Sequence, residues 1–124
     1  MNGLLVFDGE CGFCTRCRDA LVRLDRHRRL ETVAFQEPGV AERTGISHAD
    51  FDAVWWLGAD GSRLRGAAAV NAALGAVLGL RLPLAVYRVP GIRQAQEALY
   101  RWVAANRHRF PGTTPWCTRH PGRC

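Results

Sequence analysis

Apolar positions fall along this chain in short blocks separated by glycine, proline and charge, and the spacing within each block predicts its conformation. Gly3-Leu4-Leu5-Val6-Phe7 is a continuous apolar run halted by Asp8-Gly9, the pattern of a buried strand that enters a turn. Phe13, Cys17, Leu21 and Leu24 then recur at helical spacing, with Arg16, Arg18, Arg23 and Arg26 on other faces, which predicts a helix beginning near Cys11. Leu30 to Phe35 reads as a second strand closed by Pro38-Gly39. A short helix is expected on either side of Gly45. Ala53 to Leu57 predicts a central strand, Ala59-Asp60-Gly61 a hairpin turn and Ser62 to Arg65 its partner. A helix follows from Gly66 to about Gly79. Breaks at Pro83 and Pro90-Gly91 precede a last long helix, whose stripe of Ile92, Ala95, Leu99, Trp102, Val103 and Phe110 is expected to face the core. Trp55, Trp56 and Trp102 read as core positions, and His27, His48 and His108 as surface ones.

This order of elements is that of an α/β, thioredoxin-like domain: a mixed sheet flanked by helices, with an added C-terminal helix. One domain is expected over residues 1–110. Residues 111–124, with Pro111, Gly112, Pro115, Pro121 and Gly122, are expected to be an irregular tail that buries little. A chain of 124 residues can close such a core without disulfide staples.

Composition narrows the function classes. The net charge is +6 and all 17 basic residues are arginine. They are scattered through the chain, not gathered in one block, so nucleic-acid binding is not expected. Without lysine there is no Schiff-base chemistry. The apolar stretch from Ala67 to Leu80 contains Asn71 and ends at Arg81, too short for a membrane span. The N-terminal run lacks the basic region of a signal peptide, which makes the cytoplasm the expected compartment. Five cysteines in that setting point to metal or redox chemistry in preference to a structural disulfide framework.

The spacing Cys11-Gly12-Phe13-Cys14, after a strand and at the opening of a helix, is the informative feature. Residues three apart on a helix have Cβ atoms about 5–6 Å apart, so a small adjustment allows a disulfide. Cys11 sits at the helix edge, where free N–H groups and the helix dipole favour a thiolate, and is the candidate nucleophile. Cys14, a turn further in and expected to be more enclosed, is the candidate resolving thiol. Gly12 is small enough for a substrate disulfide to approach. Asp8 has two readings, a proton acceptor for Cys14 or a turn residue that caps the following loop. Cys17 lies on the apolar stripe and reads as a buried small hydrophobe. The competing function is a zinc-binding module that uses Cys11, Cys14, Cys117 and either His120 or Cys124. No organic cofactor is implied.

Asp8-Gly9-Glu10-Cys11-Gly12-Phe13-Cys14 resembles the motif of the DCC family of thiol–disulfide oxidoreductases. The resemblance continues in Asp60-Gly61 with Arg65-Gly66-Ala67, in Tyr100 to Arg107, and in the late Cys117. It implies a thioredoxin-like fold and disulfide exchange with protein thiols or disulfides as substrate. Two features depart from better-known thioredoxin-like enzymes. Residues 47–53 lack the proline that precedes the strand facing the cysteines, and Glu10 stands where an aromatic is common, with a charge that opposes a thiolate.

Overall fold

The computed structural model describes residues 2–124. Four strands, β1 (Gly3–Phe7), β2 (Leu30–Ala34), β3 (Trp55–Gly58) and β4 (Arg63–Arg65), form one sheet in the order β2-β1-β3-β4. β1 pairs in parallel with β2, from Gly3 opposite Leu30 to Phe7 opposite Ala34. On its other side β1 runs antiparallel to β3, with Leu5 opposite Trp56 and Val6 opposite Trp55. The β3–β4 hairpin completes the sheet. The parallel pair requires a crossover, and this is α1 (Gly12–Leu24), which places the cysteines at the end of β1. The expected mixed α/β architecture of the thioredoxin-like type is the one observed.

Alternation along β1 divides the core in two. Leu5 and Trp56 face α3 (Ala67–Leu78), where Ala69, Ala73 and Ala76 let the helix approach the sheet closely. Val6, Val33 and Phe35 face Val40 of α2 (Val40–Thr44) and Ile46 on the opposite side. Only the first of the two helices expected around Gly45 forms. Gly45 adopts φ 73° and ends α2, and Ser47 to Asp50 makes a turn in which Ser47 Oγ accepts the Asp50 N–H at 3.1 Å. Pro83 opens a helix instead of breaking one, because the first turn of α4 (Leu82–Tyr87) has no use for its missing N–H.

The last long helix, α5 (Ile92–Ala105), turns a different face inward from the expected one. Leu99 and Trp102 are 61% and 58% exposed. Its inner face meets partly buried polar groups that need partners. Gln96 Oε1 accepts from Asn71 Nδ2 at 2.7 Å, Glu97 Oε1 accepts from the Tyr87 hydroxyl at 2.6 Å, and the Tyr100 hydroxyl accepts the Val54 N–H at 3.1 Å. Trp56 is a core residue and Trp55 is half-buried under the guanidinium groups of Arg63 and Arg65, whereas Trp102 is not core. His27, His48 and His108 are exposed. No helix among the described residues is long and apolar enough to cross a membrane.

The tail also departs from expectation. It contains a one-turn helix, α6 (Trp116–Arg119), and lies against the end of β1 and the start of α1. The ring of Trp116 meets Phe7 edge-on at 6.0 Å and carries the guanidinium of Arg18 at 4.6 Å. Its Nε1 is buried with no hydrogen-bond partner among the described residues, so the seat of the indole is apolar and cation–π in character.

Close packing of Gly3 on the indole of Trp56 leaves no room for a methyl group. Gly3→Ala is therefore expected to cost about 1–3 kcal/mol, the usual penalty of overpacking, read as a lower denaturant midpoint with an unchanged m value.

Candidate active site

The site begins with the amino end of α1. Its N-cap is Cys11, in extended conformation (φ −101°, ψ 119°), and Cys11 Sγ accepts the Cys14 N–H at 3.2 Å. A sulfur thus takes the place usually held by a serine or aspartate oxygen, where unpaired amides and the helix dipole favour negative charge. Thr15, fully buried, donates its hydroxyl to the Cys11 carbonyl at 2.9 Å and accepts the Trp116 N–H at 3.1 Å. One hydroxyl therefore ties the cap to the tail.

The tail roofs the cysteine loop. Thr113 N–H donates to the Gly12 carbonyl at 3.2 Å, Cys117 N–H to the Gly9 carbonyl at 2.9 Å, and Arg16 Nη1 to the Pro111 carbonyl at 3.3 Å. Gly12 has no side chain because Thr113 and Gly112 pass directly over it. The close approach that Gly12 permits is thus made by this chain's own backbone. As a result Cys11 is only 9% exposed, and Cys14 is the less buried of the two, the reverse of the expected order.

Arg107 supplies the site's positive charge. It follows α5 on a single 3₁₀ turn (Arg107–Arg109) and its Nη2 lies 3.2 Å from Asp8 Oδ2. Burial opposes its charge, but the proximity of Asp8, Cys14 and Cys11 outweighs this and holds the guanidinium firmly protonated. Asp8 Oδ1 accepts the Glu10 N–H at 3.0 Å and Gln36 Nε2 at 2.8 Å, and Gln36 Oε1 in turn accepts the Gly9 N–H at 2.9 Å. Asp8 therefore holds the turn and anchors the arginine. Burial, the hydrogen bond with Cys11 and the charges of Cys11 and Asp8 push the Cys14 thiol far above the ordinary thiol range, with Arg107 pulling the other way. An opening of about 510 Å³ reaches Cys11 between Glu10, Phe13, Arg107 and Phe110. Phe13 stacks on Phe110 at 5.2 Å, and Phe110 meets Trp102 edge-on at 5.8 Å, forming an aromatic rim beside it.

Cys11, Cys14 and Asp8 are thus brought together as the sequence suggested. Cys17 is exposed, because the inward face of α1 runs through Thr15 and Arg18, one position away from the apolar stripe read from the sequence. The four-ligand zinc arrangement is not assembled. Cys117 and Cys124 are bonded to each other, His120 stacks on Trp116 at 4.0 Å, and no group of three or more His, Cys, Asp or Glu able to hold a metal occurs among the described residues. Sequence reasoning missed Arg107, Thr15 and Gln36, which carry no motif of their own. The one signal for Arg107 in the sequence is its place at the end of the Tyr100 to Arg107 stretch that resembles the DCC family.

A family model described as DCC1-like thiol-disulfide oxidoreductase matches residues 5–113. No curated protein and no solved structure matches the chain.

Two outcomes follow from the site's charges. Arg107→Gln removes a cation that faces both sulfurs, so alkylation of Cys11 by iodoacetamide near pH 7 is expected to slow roughly three- to tenfold, as for loss of an ion pair of about 1 kcal/mol in a watery site. Asp19, which accepts from Arg18 and Arg119, joins α1 to α6. Burial alone would raise its pKa, but those two arginines hold it below the ordinary 3.8. A lowered folded-state pKa contributes stability above the unfolded value and loses it as pH falls through the folded one. Docking of the tail is therefore expected to weaken below about pH 4, seen as a change in Trp116 fluorescence against a Trp116→Phe control, and Asp19→Asn is expected to abolish that transition.

Proposed function

The chain belongs to the DCC1-like thiol-disulfide oxidoreductase family, and on that premise we propose that it exchanges protein disulfides through Cys11 and Cys14, with Cys11 as the attacking sulfur. The observation that carries this reading is the Cys11 sulfur at the N-cap, accepting a backbone amide and facing Arg107. Cys11 as thiolate attacks one sulfur of a substrate disulfide, and the other sulfur leaves as a thiolate. Cys14 then loses its proton and attacks the Cys11 sulfur. The second substrate thiolate is released and a Cys11–Cys14 disulfide remains, so two electrons have passed to the substrate.

The contrast between the two thiols supports this division of labour. Cys14 is the more open of the two, but desolvation and its contact with Cys11 hold its thiol neutral, so it competes poorly for the incoming disulfide. Asp8 is assigned a positioning role, holding Arg107 beside the pair. The rim of half-buried Phe13 and Phe110 and exposed Trp102 favours a polypeptide substrate with an apolar segment near its disulfide, because accessible aromatic surface next to a reactive centre gives such a segment area to cover.

Cys14→Ser is expected to stall at the mixed disulfide, so that covalent complexes with a disulfide-containing protein such as insulin accumulate and dissolve on reduction. Cys11→Ser is expected to form few. Complexes that build up only in Cys11→Ser would reverse the roles, and none in either variant would sink the proposal.

A further inference from the structure

Cys117 and Cys124 form a disulfide across seven residues of the tail, beyond the stretch that the family match covers. Cys117 is not remote from the site. Its N–H is bonded to the Gly9 carbonyl, and its sulfur lies so close to Gly9 that a Cβ there would sit 2.8 Å from it. Gly9 is two residues before Cys11. The other member of the pair, Cys124, is exposed. Cys11, in contrast, is buried, and the same tail passes at Gly112 and Thr113 over the adjacent Gly12. The tail segment that covers the loop of Cys11 therefore also carries a disulfide with one exposed sulfur, and the inner sulfur of that disulfide rests on the loop before Cys11.

Resting on the reading that Cys11 attacks disulfides, we propose that Cys117–Cys124 is a second redox-active pair, which exchanges with Cys11–Cys14 and relays electrons between the covered site and the protein surface. Cys11 thiolate attacks the Cys117 sulfur. A Cys11–Cys117 bond forms, the Cys117–Cys124 bond breaks and Cys124 leaves as a thiolate. Cys14 gives up its proton and attacks the Cys11 sulfur, which releases Cys117 as a thiolate. Two electrons have moved from the Cys11/Cys14 dithiol to the tail and no external oxidant is consumed. The reverse sequence re-reduces the inner pair from a thiol at the surface. An oxidoreductase needs both a donor and an acceptor, and the relay gives each its own entrance: the opening beside Phe13 and Phe110 for one, and the exposed Cys124 for the other.

The test uses the full chain with its tail disulfide formed. Reduction of Cys117–Cys124 by limiting dithiothreitol is followed by acid quench, alkylation and peptide mapping, in wild type and in Cys11→Ser. The expected result is reduction roughly tenfold or more faster in wild type, because an intramolecular exchange replaces an intermolecular one. A Cys11–Cys117 peptide with alkylated Cys124 is expected in Cys14→Ser. Equal rates together with absence of that peptide overturn the relay. The same Cys14→Ser protein treated with 5,5′-dithiobis(2-nitrobenzoate) separates the two levels of the argument. An adduct on Cys11 in protein that shows no Cys11–Cys117 peptide before the reagent is added leaves the exchange reading intact and removes the relay, whereas neither adduct nor Cys11–Cys117 peptide removes both.

Discussion

The unpaired amides at the start of α1 are the constraint on which the site depends. A helix beginning directly after a buried strand leaves N–H groups without intrahelical partners, in a place water cannot fully reach. Here the Cys11 sulfur takes the Cys14 amide at 3.2 Å. The same contact caps the helix, draws negative charge toward Cys11 and fixes the spacing of the two cysteines. A structural requirement of the fold and, under the proposed function, a chemical requirement of disulfide exchange are met by one atom.

What surrounds that contact is a balance of charge in a partly dry setting. Arg107 arrives from the far end of the chain and faces Asp8, Cys11 and Cys14 together, so removing Arg107 or Asp8 changes the field at both sulfurs. Asp8 is held on both sides, by Gln36 and by the arginine, which keeps the cation near the sulfurs without placing it in their hydrogen-bonding shell alone. Glu10, whose charge opposes a thiolate, points the loop's remaining negative charge to solvent, where it is screened.

The tail completes the site instead of trailing from it. Thr15, Gly12 and Gly9 each give a backbone or hydroxyl group to residues 113–117, and the ring of Trp116 fills the space beside Phe7. Burial of Cys11 is a consequence of that cover, and access to the sulfur is confined to the opening beside Phe13 and Phe110.

Local pattern was enough for most of the elements and for the cysteine pair. The run Gly3 to Phe7, the start of a helix at Cys11 and the hairpin around Asp60-Gly61 are set by neighbours within a few residues, where hydrogen bonding and side-chain alternation leave one low-energy choice. Helix faces were less legible. The apolar stripe of Ile92, Leu99 and Trp102 points outward because Asn71, Tyr87 and the Val54 amide, far away in sequence, demand polar partners from α5. Cys17 lies outside the core, while Thr15 and Arg18 of the same helix are the positions that meet Trp116 of the tail. Arg107, the roof at Gly112 and Thr113, and the seat of Cys117 on Gly9 rest on contacts between residues some 100 positions apart. No periodicity encodes such contacts. They are decided only when the chain closes and each buried polar group must find a partner.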